Sequence, residues 1–222
     1  MDEEKRMDRA WVRIGVYAGL AASIVYPLMI FVSLPKKLTI TLASLFGPLL
    51  MLASLGLYFF LKAHRKTITG QLAVLSNIIA SAMFTLMVIV QLSVNLSMEG
   101  LMDSAGEGIS ESTQKWVWQV VDKIQLGMDV SWDIFIAIGT ILFAATVMKH
   151  PKFGKIFGLI GFLIGHFLLI FNLSTFPTPP GDAGLIDLGP AAGLWYFVAA
   201  LLVLRSLKWF DRQISKSTGE DT

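Results

Sequence analysis

Six stretches of nearly unbroken apolar residues, near positions 14–34, 38–61, 71–96, 127–148, 153–174 and 185–204, divide the chain. Each is roughly 20 residues long or more, enough to cross about 30 Å of hydrocarbon as a helix. The pattern therefore predicts an all-α fold, a polytopic integral membrane bundle of six transmembrane helices forming a single membrane domain over 1–222. The first stretch follows Lys5, Arg6, Arg9 and Arg13, but it is too long for a signal-peptide core and reads as a retained anchor.

Within the spans, polar residues recur at helical spacing. In the third, Asn77, Ser81, Phe84, Val88, Gln91 and Asn95 follow steps of four and three and share one stripe. In the fourth, Gln125, Asp129, Asp133, Ile136 and Thr140 make the equivalent stripe, with Trp132 beside it. Two carboxylates inside a span are costly unless they face a cavity, a partner group or another helix, so they mark a site. The expectation is that the two stripes face each other, with Asn95 level with Asp129 and Gln91 level with Asp133 one turn deeper. Asn172 of the fifth span falls at similar depth.

The longest connection, 97–126, is expected to lie outside the membrane. Met98 to Ser112, with Gly100, Gly106 and Gly108, reads as a polar loop. From Thr113 the apolar positions Trp116, Val120, Ile124 and Gly127 return at helical spacing. The fourth helix then begins beyond the bilayer, or an interfacial helix precedes it and caps the mouth or anchors at the headgroups. The link FPTPPGDAGLIDLGP from Phe176 to Pro190 predicts a stiff loop in which Asp182 and Asp187 make turns, cap the sixth helix or close over the mouth.

An ungapped self-similarity at a separation of 142 residues relates 13–66 to 155–208: Arg13 pairs with Lys155, Gly19 with Gly161, Pro35 with Pro177, and Gly47-Pro48 with Gly189-Pro190. It implies a possible parallel repeat in which spans one and two recur as five and six. Gly154, Gly158, Gly161 and Gly165 leave the fifth helix smooth for close packing. His166 follows that track near mid-membrane and is read as a hydrogen-bonded structural imidazole, or as a proton relay reached from Asp133.

Composition agrees with the pattern, since 55% hydrophobic and 15% charged residues leave too little polar surface for a soluble domain of 222 residues. Charge adds orientation. With both termini cytoplasmic, fourteen of the eighteen basic residues lie inside and Lys36, Lys37, Lys115 and Lys123 lie outside. The expected location is a bacterial inner (plasma) membrane. The nine carboxylates from Glu99 to Asp187 then make the outer mouth acidic, which favours cations.

Absent motifs exclude several chemistries. There is no cysteine, HExxH, GxxxxGK[ST] or GxSxG. Every lysine adjoins a predicted span end, which argues against a retinal Schiff base, and only His166 is central, which argues against a bis-histidine haem. No cofactor, metal or nucleic acid is implied. An oxygen-rich cation site drawn from Asp129, Asp133, Gln91, Asn95 and Asn172 remains chemically reasonable. The function expected from these features is an outward-facing polar cavity that binds or carries a small solute or cation. Asp129, Asp133, Gln91, Asn95, Asn172, Trp132 and His166 are its candidate residues, and the two acids titrate as a coupled pair. The alternatives are an intramembrane enzyme acting on a lipid-like substrate and a non-catalytic sensor or assembly subunit.

Overall fold

The computed structural model describes the backbone of residues 2–104 and 110–216. Its elements are α1 (Asp2–Phe31), α2 (Lys36–Lys62), α3 (Ile68–Ser104), α4 (Glu111–Val147), α5 (Lys155–Thr175), α6 (Gly189–Arg205) and α7 (Leu207–Lys216). No strand occurs among the described residues. Five helices are long and apolar enough to cross a membrane, or six if α6 and α7, bent by 58° to each other, form one broken span. The sixth apolar stretch thus yields a 17-residue helix that stops at Ser206 and turns into α7. Trp209, Phe210 and Ile214 of α7 pack inward, whereas Lys208 and Arg212 face out.

The starts of α1 and α7 share one end of the bundle, here the terminal face. Arg9 and Arg13 of α1 reach Asp211 of α7 at 3.5 and 3.7 Å. These exposed pairs contribute little stability but fix the neighbourhood. Consecutive helices α1 to α5 pack side by side, and α6 closes the bundle against α1.

Small residues set the closest approaches. Gly15 of α1 and Gly56 of α2 face each other so closely that a Cβ on either would run into the other's backbone. Gly158 and Gly165 of α5 admit the α4 backbone in the same way, and Gly161 seats the Trp195 ring of α6. The hairpins related by the 142-residue self-similarity are packed differently. Helices α1 and α2 touch along their lengths, whereas α5 and α6 meet chiefly where Trp195 stacks on Phe157 at 4.9 Å and donates its indole N–H to the Phe157 carbonyl at 3.1 Å.

The connection between the third and fourth spans is largely helical, which corrects the loop expected over Met98 to Ser112. Helix α3 runs on to Ser104, and α4 starts at Glu111 behind the N-cap Ser110, whose hydroxyl accepts the Thr113 N–H at 3.2 Å. Once a helix exists, each added residue gains a hydrogen bond at small entropic cost, so the rods outlast their apolar segments. Trp116 and Trp118 consequently ride on the same rod as Asp129 and Asp133. Gly106, Glu107 and Gly108 lie outside the described residues, as do the side chains of Glu99, Asp103, Glu111 and Lys216.

The main core lies toward the terminal face, where Phe60, Phe143, Val12, Val147 and Phe210 are almost completely buried. Two smaller apolar clusters continue toward the distal face.

Candidate functional site

Helix α4 places Asp129 and Asp133 one turn apart, the first half-buried and the second 6% exposed. Asp133 turns toward α5. Its polar neighbour there is the side chain of Asn172, itself buried and donating through Nδ2 to the Leu168 carbonyl at 3.0 Å. Asp133 Oδ1 is buried without any hydrogen-bond partner. A third carboxylate joins from the loop before α6: Asp187, whose Oδ1 accepts the Gly189 N–H at 2.8 Å and so holds the entry to that helix. Asp133 lies in the electrostatic field of Asp129 and Asp187, and the Tyr26 hydroxyl of α1 feels all three. Among the described residues no ion pair reaches any of these carboxylates.

The facing amides expected on α3 are not part of this group. Gln91 is half-buried and Asn95 exposed, and neither hydrogen-bonds to Asp129 or Asp133 among the described residues. The space between the helices at that level holds Phe84, Met87 and Val88, with Leu92, Met128 and Trp132 against them. The wet pocket expected between α3 and α4 is therefore replaced by packed hydrocarbon. The stripe on α3 carried large apolar members as well as amides, and the apolar members occupy the interhelical contact because polar groups there need partners.

Deeper along the same stripes, polar groups do meet. Asn77 Nδ2 donates to Ser54 Oγ at 3.0 Å and lies 2.8 Å from the Tyr196 hydroxyl, which is also 3.1 Å from Thr140 Oγ1. Ser54, Asn77 and Thr140 are completely buried, so α2, α3, α4 and α6 are joined at mid-height by one satisfied network. Gly139 makes room for it, since a Cβ there would strike the Asn77 side chain. Asn77 and Thr140 stand out in the sequence as stripe members. Tyr196 is conspicuous with Trp195 only as a deep aromatic that lines a cavity or packs between helices, and Ser54 gives no sign, because a lone hydroxyl in an apolar run does not reveal its partner.

A cavity of about 530 Å³ opens beside the carboxylates, between α1, α2 and α6. Gly15, Gly19 and Ala22 of α1 and Gly193 and Ala200 of α6 make its walls, and Trp132 and Ile136 of α4 close its back. Its rim includes Ile24, Phe31 and Leu194, which are 61%, 82% and 62% exposed, so it opens sideways through an apolar face. The distal end is lined by Tyr26, which lies in the field of the carboxylates, and by Gly189, which hydrogen-bonds Asp187. Trp132 stands between the two regions, its ring 5.5 Å from Phe84 and its Nε1–H buried without a partner.

His166 is placed apart from these groups: its Nδ1 is 2.8 Å from the Phe162 carbonyl and its ring lies 4.1 Å from Phe162, all within α5. The pairing of the other two histidines was not legible in the sequence. His64 and His150, in the loops at the terminal face, approach to 5.1 Å between ring centres beside Phe60, Phe153 and Trp209. Burial, together with the positive neighbours His64 and Lys152, pushes the His150 imidazole down to about 4. Its Nδ1 accepts the Lys152 N–H at 3.2 Å, and Nε2 is buried without a partner. Among the described residues no three histidine or carboxylate side chains converge closely enough to hold a metal ion. Comparison of the chain with protein-family models, with curated proteins and with solved structures finds no match in any of the three.

Proposed function

We propose that this multi-pass protein lies in a bacterial inner (plasma) membrane with its terminal face cytoplasmic, and binds and carries a small cationic solute. The site is the Asp129, Asp133, Asp187, Tyr26 and Asn172 group in the distal, extracytoplasmic half. One observation carries the reading: a carboxyl 6% exposed, with one oxygen unpartnered, sits beside two further carboxylates and no paired cation among the described residues. Such a group is costly to keep in a membrane unless something completes it. A proton does so in one state and a positively charged solute in the other, and exchange between the two couples binding to pH. The orientation is supported by Arg65, Lys66, Lys149, Lys152 and Lys155, which flank the loops at the terminal face.

Uptake of a fluorescent organic cation into proteoliposomes under an imposed pH gradient tests the reading. Wild type is expected to accumulate the cation in proportion to the gradient. Asp133→Asn is expected to lose this by about tenfold or more, as removal of a buried charge partner does, and Asp133→Glu to retain part of it. Equal, gradient-driven uptake by wild type and Asp133→Asn would remove Asp133 from the mechanism.

A further inference from the structure

We propose that the lateral cavity holds the hydrocarbon tail of an amphiphile whose positively charged head group sits at the Asp187 end of the cavity, where Asp129 and Asp133 add negative charge. The proposal rests on the cation reading above and names the class of cation.

Shape is the first argument. The cavity is lined along α1 from Gly15 to Phe31, about 24 Å of helix axis at the α-helical rise. A cavity that follows α1 over this length is elongated, as a hydrocarbon tail is. The volume also falls within the roughly 300–1,000 Å³ of ordinary small-molecule sites.

Wall chemistry is the second. The walls are almost wholly apolar; Tyr196 contributes a polar atom at mid-height, and Ser23, Tyr26 and Trp132 do so toward the distal end. There Tyr26 belongs both to the lining and to the field of the three carboxylates, and Gly189 lines the cavity while bonding Asp187. A ligand matched to this surface is apolar along its length and cationic at its tip.

Access is the third. The rim residues Ile24, Phe31 and Leu194 are exposed on the apolar face, so a chain enters from the bilayer without its head crossing the hydrocarbon. Trp132, which lines the cavity with its Nε1–H buried and unpartnered, approaches Gly189 at that end.

Full-length protein in phospholipid nanodiscs, titrated with radiolabelled dodecyltrimethylammonium, tests this. Saturable binding is expected, about tenfold or more tighter than that of dodecanol or tetramethylammonium in competition. Gly193→Phe projects a ring into the cavity from a position where a Cβ meets open space, and Ser23→Leu does so from α1. Each is expected to weaken dodecyltrimethylammonium binding about tenfold while tetramethylammonium binding is unchanged and the thermal midpoint shows a folded protein. Asp133→Asn is expected to leave dodecanol binding intact and erase the preference for the cation. Equal binding of tetramethylammonium and the dodecyl cation would overturn the chain site and leave the cation reading standing. So would wild-type binding by both folded blocking variants. Non-saturable uptake by wild type would refute the proposal outright, and a dodecyl cation preference untouched in Asp133→Asn would sink the carboxylate reading itself.

Discussion

The terminal and distal halves of the bundle are built on opposite rules. Toward the terminal face, aromatic rings fill the space between helices: Phe60 is 0% exposed and meets His150, Phe153, Trp209 and Phe210 within 6 Å. Toward the distal face, the same helices leave open a cavity that begins beside the core residues Val16, Leu57 and Val203, and they bury an unpartnered carboxyl oxygen as the terminal half buries the unpartnered His150 Nε2. The first arrangement gains dispersion and excludes water, which stabilises. The second gives up packing and satisfied polar contacts, a loss that persists where binding requires it. Between them, the Ser54, Asn77, Thr140 and Tyr196 network marks the level at which one regime passes into the other.

The contrast should be sharpest in stability. Phe60→Ala empties the centre of the terminal core and is expected to cost about 3–5 kcal/mol, read as a lowered thermal midpoint in detergent. Ile24→Ala, at the cavity rim, is expected to shift the midpoint little. Comparable losses at the two positions would break the comparison.

Acid should attack the terminal half. The folded protein keeps His150 neutral down to about pH 4, while an unfolded imidazole takes its proton near its ordinary value of about 6.5. The unfolded chain binds more protons between those values, so this contribution is fully present above about pH 6.5 and is lost as pH falls toward 4. It amounts to something on the order of 3 kcal/mol at most. Thermal midpoints across that window should fall in wild type and flatten in His150→Phe, and parallel pH profiles would contradict the assignment.

Tyr196→Phe removes one hydroxyl from the central network and leaves Asn77 and Thr140 short of a partner. A loss of about 1–2 kcal/mol is expected, with the cavity wall unchanged in shape. An unaltered midpoint would mean that water replaces the hydroxyl.

The smallest effect has the opposite sign. Asp133→Asn keeps an amide beside Asn172 and discards the buried carboxyl, so it is expected to stabilise the protein by about 1 kcal/mol while impairing cation binding. A marked destabilisation would make Asp133 a structural group and weaken the reading of the distal half as the site.

Much of this was legible along the chain, and unevenly so. Asp129, Asp133, Asn172 and Trp132 stood out because polar or amphipathic groups inside apolar spans are conspicuous. The structure places all four at the distal half of the α4 and α5 region. Gln91 and Asn95 were equally conspicuous, yet α3 is rotated so that Phe84, Met87 and Val88 take the contact with α4. Tyr26 gave no signal in the sequence, and Asp187 was expected to make a turn, cap the sixth helix or close over the mouth. They acquire meaning from their position at the end of a cavity formed by α1 and α6, helices far apart in the chain.

Hydrophobic periodicity by itself determined that the protein is a helical membrane bundle, roughly where its spans run and which faces carry polar groups. Those are local properties, set by the cost of exposing a peptide group or a charge to hydrocarbon. The tertiary structure alone decided that the last span breaks at Ser206, that Asp133 turns to α5 rather than α3, and that the free volume lies between α1, α2 and α6. Each depends on helix rotation and on side-chain volumes meeting across the bundle. Many rotations satisfy a one-dimensional pattern, and packing in three dimensions selects among them.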